Sequence, residues 1–233
     1  MAPDQYEAAQ KQLFSEIEQK LKRDVHVGID GAVEPARYFA SRPKVLFVLK
    51  EMNESPWAPQ NLVKLLRSNV IPWKTWNNIV RWRNAIHQVM NHDRGVVVAS
   101  FEQDAAITSA DRRQALSDVA VMNMKKMPGG STSNWPTIEQ HAKHFSQELG
   151  KQIAMLDPDV IVACGVWLKS IEGFLDLKES MAKKERAYLL HPLNGRTRIV
   201  IYTDHSQAFK SSENMLDGVV QACYAAKEEL GPR

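Results

Sequence analysis

Four short apolar runs constrain this chain more than any other feature: Lys44–Lys50, Val119–Met124, Asp159–Cys164 and Arg198–Tyr202. Each is five to seven residues long, rich in β-branched residues and bounded by charged, proline or glycine residues, the pattern of buried strands. Their apolar residues follow one another instead of alternating with polar ones. That suits strands covered on both faces, as in a parallel sheet with helices above and below.

The segments between the runs supply the helices. Residues 5–22 carry Tyr6, Leu13, Phe14, Ile17 and Leu21 on one face, and residues 137–156 carry Ile138, Phe145, Leu149, Ile153 and Leu156. Residues 211–230 open on a cap-like Ser-Ser-Glu, and residues 60–91 read as two helices broken at Ile71-Pro72. The alternation predicts a three-layer αβα sandwich with a central, mostly parallel four-stranded sheet. A single α/β domain over residues 1–233, with an N-terminal helix over about residues 4–23, is expected, since no repeat and no Pro/Gly/Ser-rich linker divides the chain.

Composition excludes several classes. With 44% hydrophobic and 24% charged residues the chain is neither disordered nor fibrous, and no stretch approaches the roughly 18 apolar residues of a membrane span. The N-terminus has no signal-peptide apolar region. Two cysteines without CxxC spacing, Cys164 and Cys223, argue against a disulfide framework or a cysteine-ligated metal, so a cytoplasmic protein is expected. A net charge of +3 permits a polyanionic partner without demanding one.

Ligands of open α/β sheets lie beyond the carboxyl ends of the strands. The segments to inspect are therefore Glu51–Pro59, Lys125–Trp135, Gly165–Lys169 and Thr203–Phe209. Glu51 and Glu54, the amide of Asn123 and the imidazole of His205 form an acid/base and hydrogen-bonding set. Each also has a plain structural reading: solvated loop carboxylates, an amide satisfied by backbone, and a turn histidine with Ser206 capping the last helix. Trp57, in a Ser-Pro-Trp-Ala-Pro loop, is either a platform for a planar ligand or a loop anchor. Trp73, Trp76 and Trp82 are expected to pack on the sheet. Lys125 and Lys126 precede Met-Pro-Gly-Gly, a turn that would offer ammonium and backbone N–H groups to a phosphate. The histidines other than His205 are read as surface residues, without metal-ligand spacing. P-loop, GxGxxG, GxSxG and kinase motifs are absent.

The stretch Val121–Gly130, followed by Leu149–Gly165, resembles the uracil-DNA glycosylase superfamily, whose members carry an Asn-x-x-Lys-x-x-Pro strand end and then an L-x-x-Q-I-x-x-L-x-P-x-x-I-x-x-x-G helix-strand unit. Pro43–Asn53 stands where that family has its first active-site motif, and Thr203-Asp-His-Ser206 where it has His-Pro-Ser, so the resemblance covers roughly residues 40–230. It implies a DNA base-excision glycosylase, with single- or double-stranded DNA or a nucleobase-containing small molecule as partner. Asn123 would read the Watson–Crick edge of an extruded base, His205 would hydrogen-bond the departing base, and Glu51 or Asn53 would position or activate water. Trp57 would stack on the base, while Lys125, Ser206 and Lys210 would touch phosphates. Two cysteines fall short of the four that the family's iron-sulfur branch uses, so neither metal nor other cofactor is expected. The alternatives are a catalytically silent nucleic-acid or nucleotide-binding module of the same fold, and an enzyme acting on a nucleoside or nucleotide.

Overall fold

The computed structural model describes residues 1–21, 27–53, 61–68, 74–92, 103–130, 132–166, 168–175, 188–206 and 211–231. In chain order the elements are α1 (Pro3–Leu21), β1 (Gly31–Ala32), α2 (Pro35–Ala40), β2 (Val45–Asn53), α3 (Leu62–Leu66), α4 (Lys74–Asn91) and a 3-10 turn at Asp104–Ala106. They continue with α5 (Ser109–Leu116), β3 (Val119–Gly129), α6 (Trp135–His144), α7 (Ser146–Leu156), β4 (Val160–Cys164), α8 (Leu168–Leu175), β5 (Tyr188–Leu193), β6 (Arg196–Thr203) and α9 (Ser212–Leu230).

Among the described residues the strands join one six-stranded mixed sheet in the order β1-β3-β2-β4-β6-β5. The four apolar runs are its parallel centre, β3-β2-β4-β6. Two antiparallel edges extend the sheet beyond the four expected strands. On one side β1 pairs with β3, and on the other β5 pairs with β6 across a tight Asn194-Gly195 turn in which both residues have positive φ, 50° and 72°.

Helices cover both faces because side chains alternate along each strand. Val45, Phe47, Val119, Val121, Val160, Val162, Ile199 and Ile201 face a core built with α4, α5 and α9, in which Trp76 and Trp82 are buried. Leu46, Val48, Ala120, Met122, Ile161, Ala163 and Val200 face a second core with α1, α6, α7 and α8. Trp73 lies outside the described residues. The single helix expected over residues 137–156 is two, because Phe145 leaves helical geometry (φ −106°, ψ 23°) and fills the core with His141 and His144 against its ring. The cap of α9 is Ser211, whose side chain accepts a hydrogen bond from the Asn214 N–H; Ser206 lies further upstream.

Charged groups tie the amino ends of the central strands together. Asp157, in left-handed conformation after α7, pairs with Lys44, Arg196 and Arg198, while Asp159 accepts from the Lys44 N–H and pairs with Arg198. Among the described residues no helix is long and apolar enough to cross a membrane.

Candidate functional site

Chain order and strand order diverge at β2. The chain passes from β2 to its neighbour β3, then crosses back to β4 on the other side of β2, so the topological switch point lies at the carboxyl ends of β2 and β4. Lys50 and Glu51 come from the end of β2, Asn123 and Lys125 from β3, Gly165 follows β4 and His205 follows β6.

Glu51 and Lys125 are directly opposed in the β2–β3 register. The Lys125 ammonium donates to Glu51 Oε2 at 2.6 Å and to the Pro128 carbonyl at 3.1 Å, and both side chains are nearly enclosed, 9% and 5% exposed. Lys125 is thus committed to Glu51 instead of being presented to a phosphate. The expected Met-Pro-Gly-Gly turn is the continuation of β3, with a register shift that brings Asn53 opposite Gly129. A β-carbon at Gly129 would overlap the Glu51 carboxylate, so the glycine makes room for this pair. Asn53 closes β2; its side chain, like Trp57 and Lys210, lies outside the described residues.

Asn123 is 1% exposed and sits opposite Leu49. Its backbone N–H and its side-chain Nδ2 donate to Asp30 Oδ2, at 2.7 and 3.3 Å. Its carbonyl Oδ1 is buried with no hydrogen-bond partner. Asp30 is wholly buried and also accepts from Lys126 Nζ at 2.7 and 2.9 Å and from Gln152 Nε2 at 2.8 Å. Burial pulls the Lys126 ammonium below its ordinary pKa, against the opposing attraction of Asp30. The second lysine of the pair therefore also points inward, onto the other face of the sheet from Lys125.

His205 is half-buried and packs against Gly165, whose positive φ of 61° needs no side chain; a β-carbon there would stand 2.6 Å from His205 Cβ and 2.7 Å from its backbone N. Burial first, and the nearby Lys50 ammonium second, lower the imidazole to a pKa of about 4. Neutral pH therefore leaves it an uncharged donor and acceptor. Lys50 is itself lowered by burial, and its ammonium lies 5.2 Å from the ring centroid of Trp135, the first residue of α6. Ser206 is fully buried: its carbonyl accepts from Asn78 Nδ2 at 2.7 Å, whereas its hydroxyl has no partner. Asn78 in turn accepts from Arg81, which reaches Asp104, so α4 holds the turn that carries His205.

Sequence reasoning passed over Lys50, Asp30, Gln152 and Gly165 as site residues. Gly165 and Gln152 carried a signal, standing at fixed positions of the helix-strand motif, and Lys50 ends the first apolar run. Asp30 carried none, because it meets Asn123 only through the short edge strand β1. Among the described residues the surface reading fails for His141 and His191, and His87 is half-buried with its Nε2 enclosed. His141 is 6% exposed and accepts the Lys126 N–H through Nε2 at 3.1 Å, and His191 is 4% exposed on β5. Among the described residues no group of three or more His, Cys, Asp and Glu is placed to hold a metal ion.

Fold and site together define an α/β protein with Lys50, Glu51 and His205 at or beyond the carboxyl ends of the parallel strands of a mixed sheet. No model of a known protein family matches the chain, and no curated protein matches its sequence.

Proposed function

We propose that this chain is a uracil-DNA glycosylase-like protein that hydrolyses the N-glycosidic bond of an extruded uracil or damaged base in DNA. The observation that carries the reading is Asn123: a nearly inaccessible amide midway along β3, level with the carboxyl end of β4, one face satisfied and its carbonyl oxygen left without a donor. A buried unpaired acceptor costs about 1–3 kcal/mol, and a base presenting a ring N–H would satisfy it. The four central parallel strands, covered by helices on both faces, are compatible with this reading.

In this reading the C1′–N bond breaks with its electron pair moving to the base, and water adds to C1′, its released proton ending on the departed base anion. Neutral His205 donates a hydrogen bond to a base oxygen as negative charge develops there, and the Lys50 ammonium beside it stabilises the same charge. Glu51, held by Lys125, acts as a fixed negative charge facing the sugar cation and not as a free base. Ser206 and its Asn78 tether set the orientation of the His205 turn.

A second reading, a catalytically silent nucleobase-binding module, is favoured by the Glu51–Lys125 ion pair, since Lys125 neutralises the Glu51 carboxylate. Incubation with uracil-containing single- and double-stranded oligonucleotides, followed by alkali and gel electrophoresis, separates the two. Strand cleavage reduced roughly 100-fold or more by Asn123→Ala and by His205→Ala supports the glycosylase. Salt-dependent binding without cleavage supports the module.

A further inference from the structure

Asn123 has its amide orientation chosen for it by a residue outside the stretch that carries the family resemblance. Asp30 lies just before β1, and Gln10 of α1 donates to its backbone carbonyl. Its carboxylate accepts from the Asn123 N–H and Nδ2, from Lys126 Nζ and from Gln152 Nε2, while Lys126 Nζ also donates to Gln152 Oε1 at 2.7 Å. An amide can ordinarily turn over and exchange its oxygen for its nitrogen. Here the exchange would set the Asn123 carbonyl oxygen against Asp30 Oδ2, two acceptors with no proton between them, deep in the protein where such a contact is least screened. Nδ2 is therefore fixed on the Asp30 side and Oδ1 is left as the free atom. The carboxylate cannot itself serve as a base toward substrate, since it is fully enclosed and its oxygens are occupied by these donors.

We infer that Asp30, held by Lys126 and Gln152, is a specificity-determining positioning residue: it fixes Asn123 with its carbonyl oxygen as the reading atom, so that the site takes a base edge presenting a ring N–H and rejects one presenting a bare ring nitrogen. The inference rests on the reading of the strand-end site as a nucleobase site. Uracil offers the required N–H, whereas the corresponding ring nitrogen of cytosine is an acceptor. Binding cytosine would require the amide to turn over against Asp30.

The test uses the full chain, isotopically labelled, titrated with free uracil and free cytosine and followed by NMR through the Asn123 side-chain amide. Because Asp30→Asn alone would leave Lys126 buried without a counter-charge, the main variant is Asp30→Asn with Lys126→Met, its fold checked by circular dichroism. The native chain is expected to favour uracil over cytosine by roughly 100-fold, and the double variant to lose at least about tenfold of that preference, since each tenfold corresponds to one hydrogen bond's discrimination. Gln152→Met, which keeps the ion pair, is expected to lower the preference by a smaller factor and keeps the question answerable if the double variant does not fold. A uracil preference unchanged in the variants that fold overturns the role of Asp30 while leaving the nucleobase reading standing. Binding of neither base by the native chain overturns both.

Discussion

The backbone of His205 lies against the bare Cα of Gly165, close enough that a β-carbon at residue 165 would stand 2.7 Å from the His205 N and Cα. The contact joins the ends of two adjacent parallel strands, and the Gly165 N–H donates to the Thr203 carbonyl at 2.7 Å. Gly165→Ala must both strain a left-handed residue and displace this backbone. The variant is expected to lose roughly 2 kcal/mol or more in urea unfolding, and the His205 ring resonances should move while those of His191, opposite Arg198 near the amino end of β6, stay in place.

Lys50 is a charge neighbour of His205, and its removal has a defined sign. The ammonium depresses the imidazole pKa, so Lys50→Met is expected to raise it from about 4 toward, but not to, the ordinary 6.5, because burial remains the larger cause. Histidine titration by NMR measures this directly. If His205 acts as a neutral donor, activity in the native chain should stay flat from about pH 8 down to pH 5 and fall only near pH 4, and the acid limb should move to higher pH in Lys50→Met.

The Glu51–Lys125 pair is nearly enclosed, so removing one partner strands the other. Lys125→Met is expected to cost about 3–5 kcal/mol by chemical denaturation, and Glu51→Gln with Lys125→Met together substantially less than the single change. A double variant that folds but binds nucleobase without acting on it would assign Glu51 to electrostatic stabilisation of the reaction.

Acid should loosen the protein through three histidines. His87, His141 and His205 are each lowered to about 4, in every case by burial first, while the unfolded chain binds their protons near 6.5. The unfolded state therefore carries more protons in this window, and stability falls with pH as it drops from about 6.5 through 4, levelling below that. Urea midpoints at pH 7, 5.5 and 4.5 check the trend, and His141→Asn should flatten it, at the cost of weakening the contact to the Lys126 N–H.

The parallel centre of the sheet was legible because its strands are buried on both faces and so read as unbroken apolar runs. The edges were harder for opposite reasons. The two residues of β1, Gly31 and Ala32, show no periodicity at all. In β5 the run Tyr188–Leu193 is interrupted by His191 and Pro192, and the proline is tolerated because this edge strand pairs on one side only. The Asn194-Gly195 dipeptide was the available hairpin signal. At the site, Asn123 and His205 could be singled out because an amide ending an apolar run and an imidazole after another are conspicuous. The inward turn of Lys125 and Lys126 could not. Adjacent lysines in a strand point to opposite faces, and only the positions of Glu51 and Asp30 show that both faces hold a buried carboxylate.

The charges gathered by Asp157 and Asp159 bind β2, β4 and β6 at the edge of the sheet opposite His205. The anchoring charges and the candidate site thereby lie at opposite poles of the same strands. Loops at the opposite pole can be lengthened, shortened or rewritten while the anchored pole continues to hold the strands in alignment, so this scaffold can change its strand-end loops without a new fold.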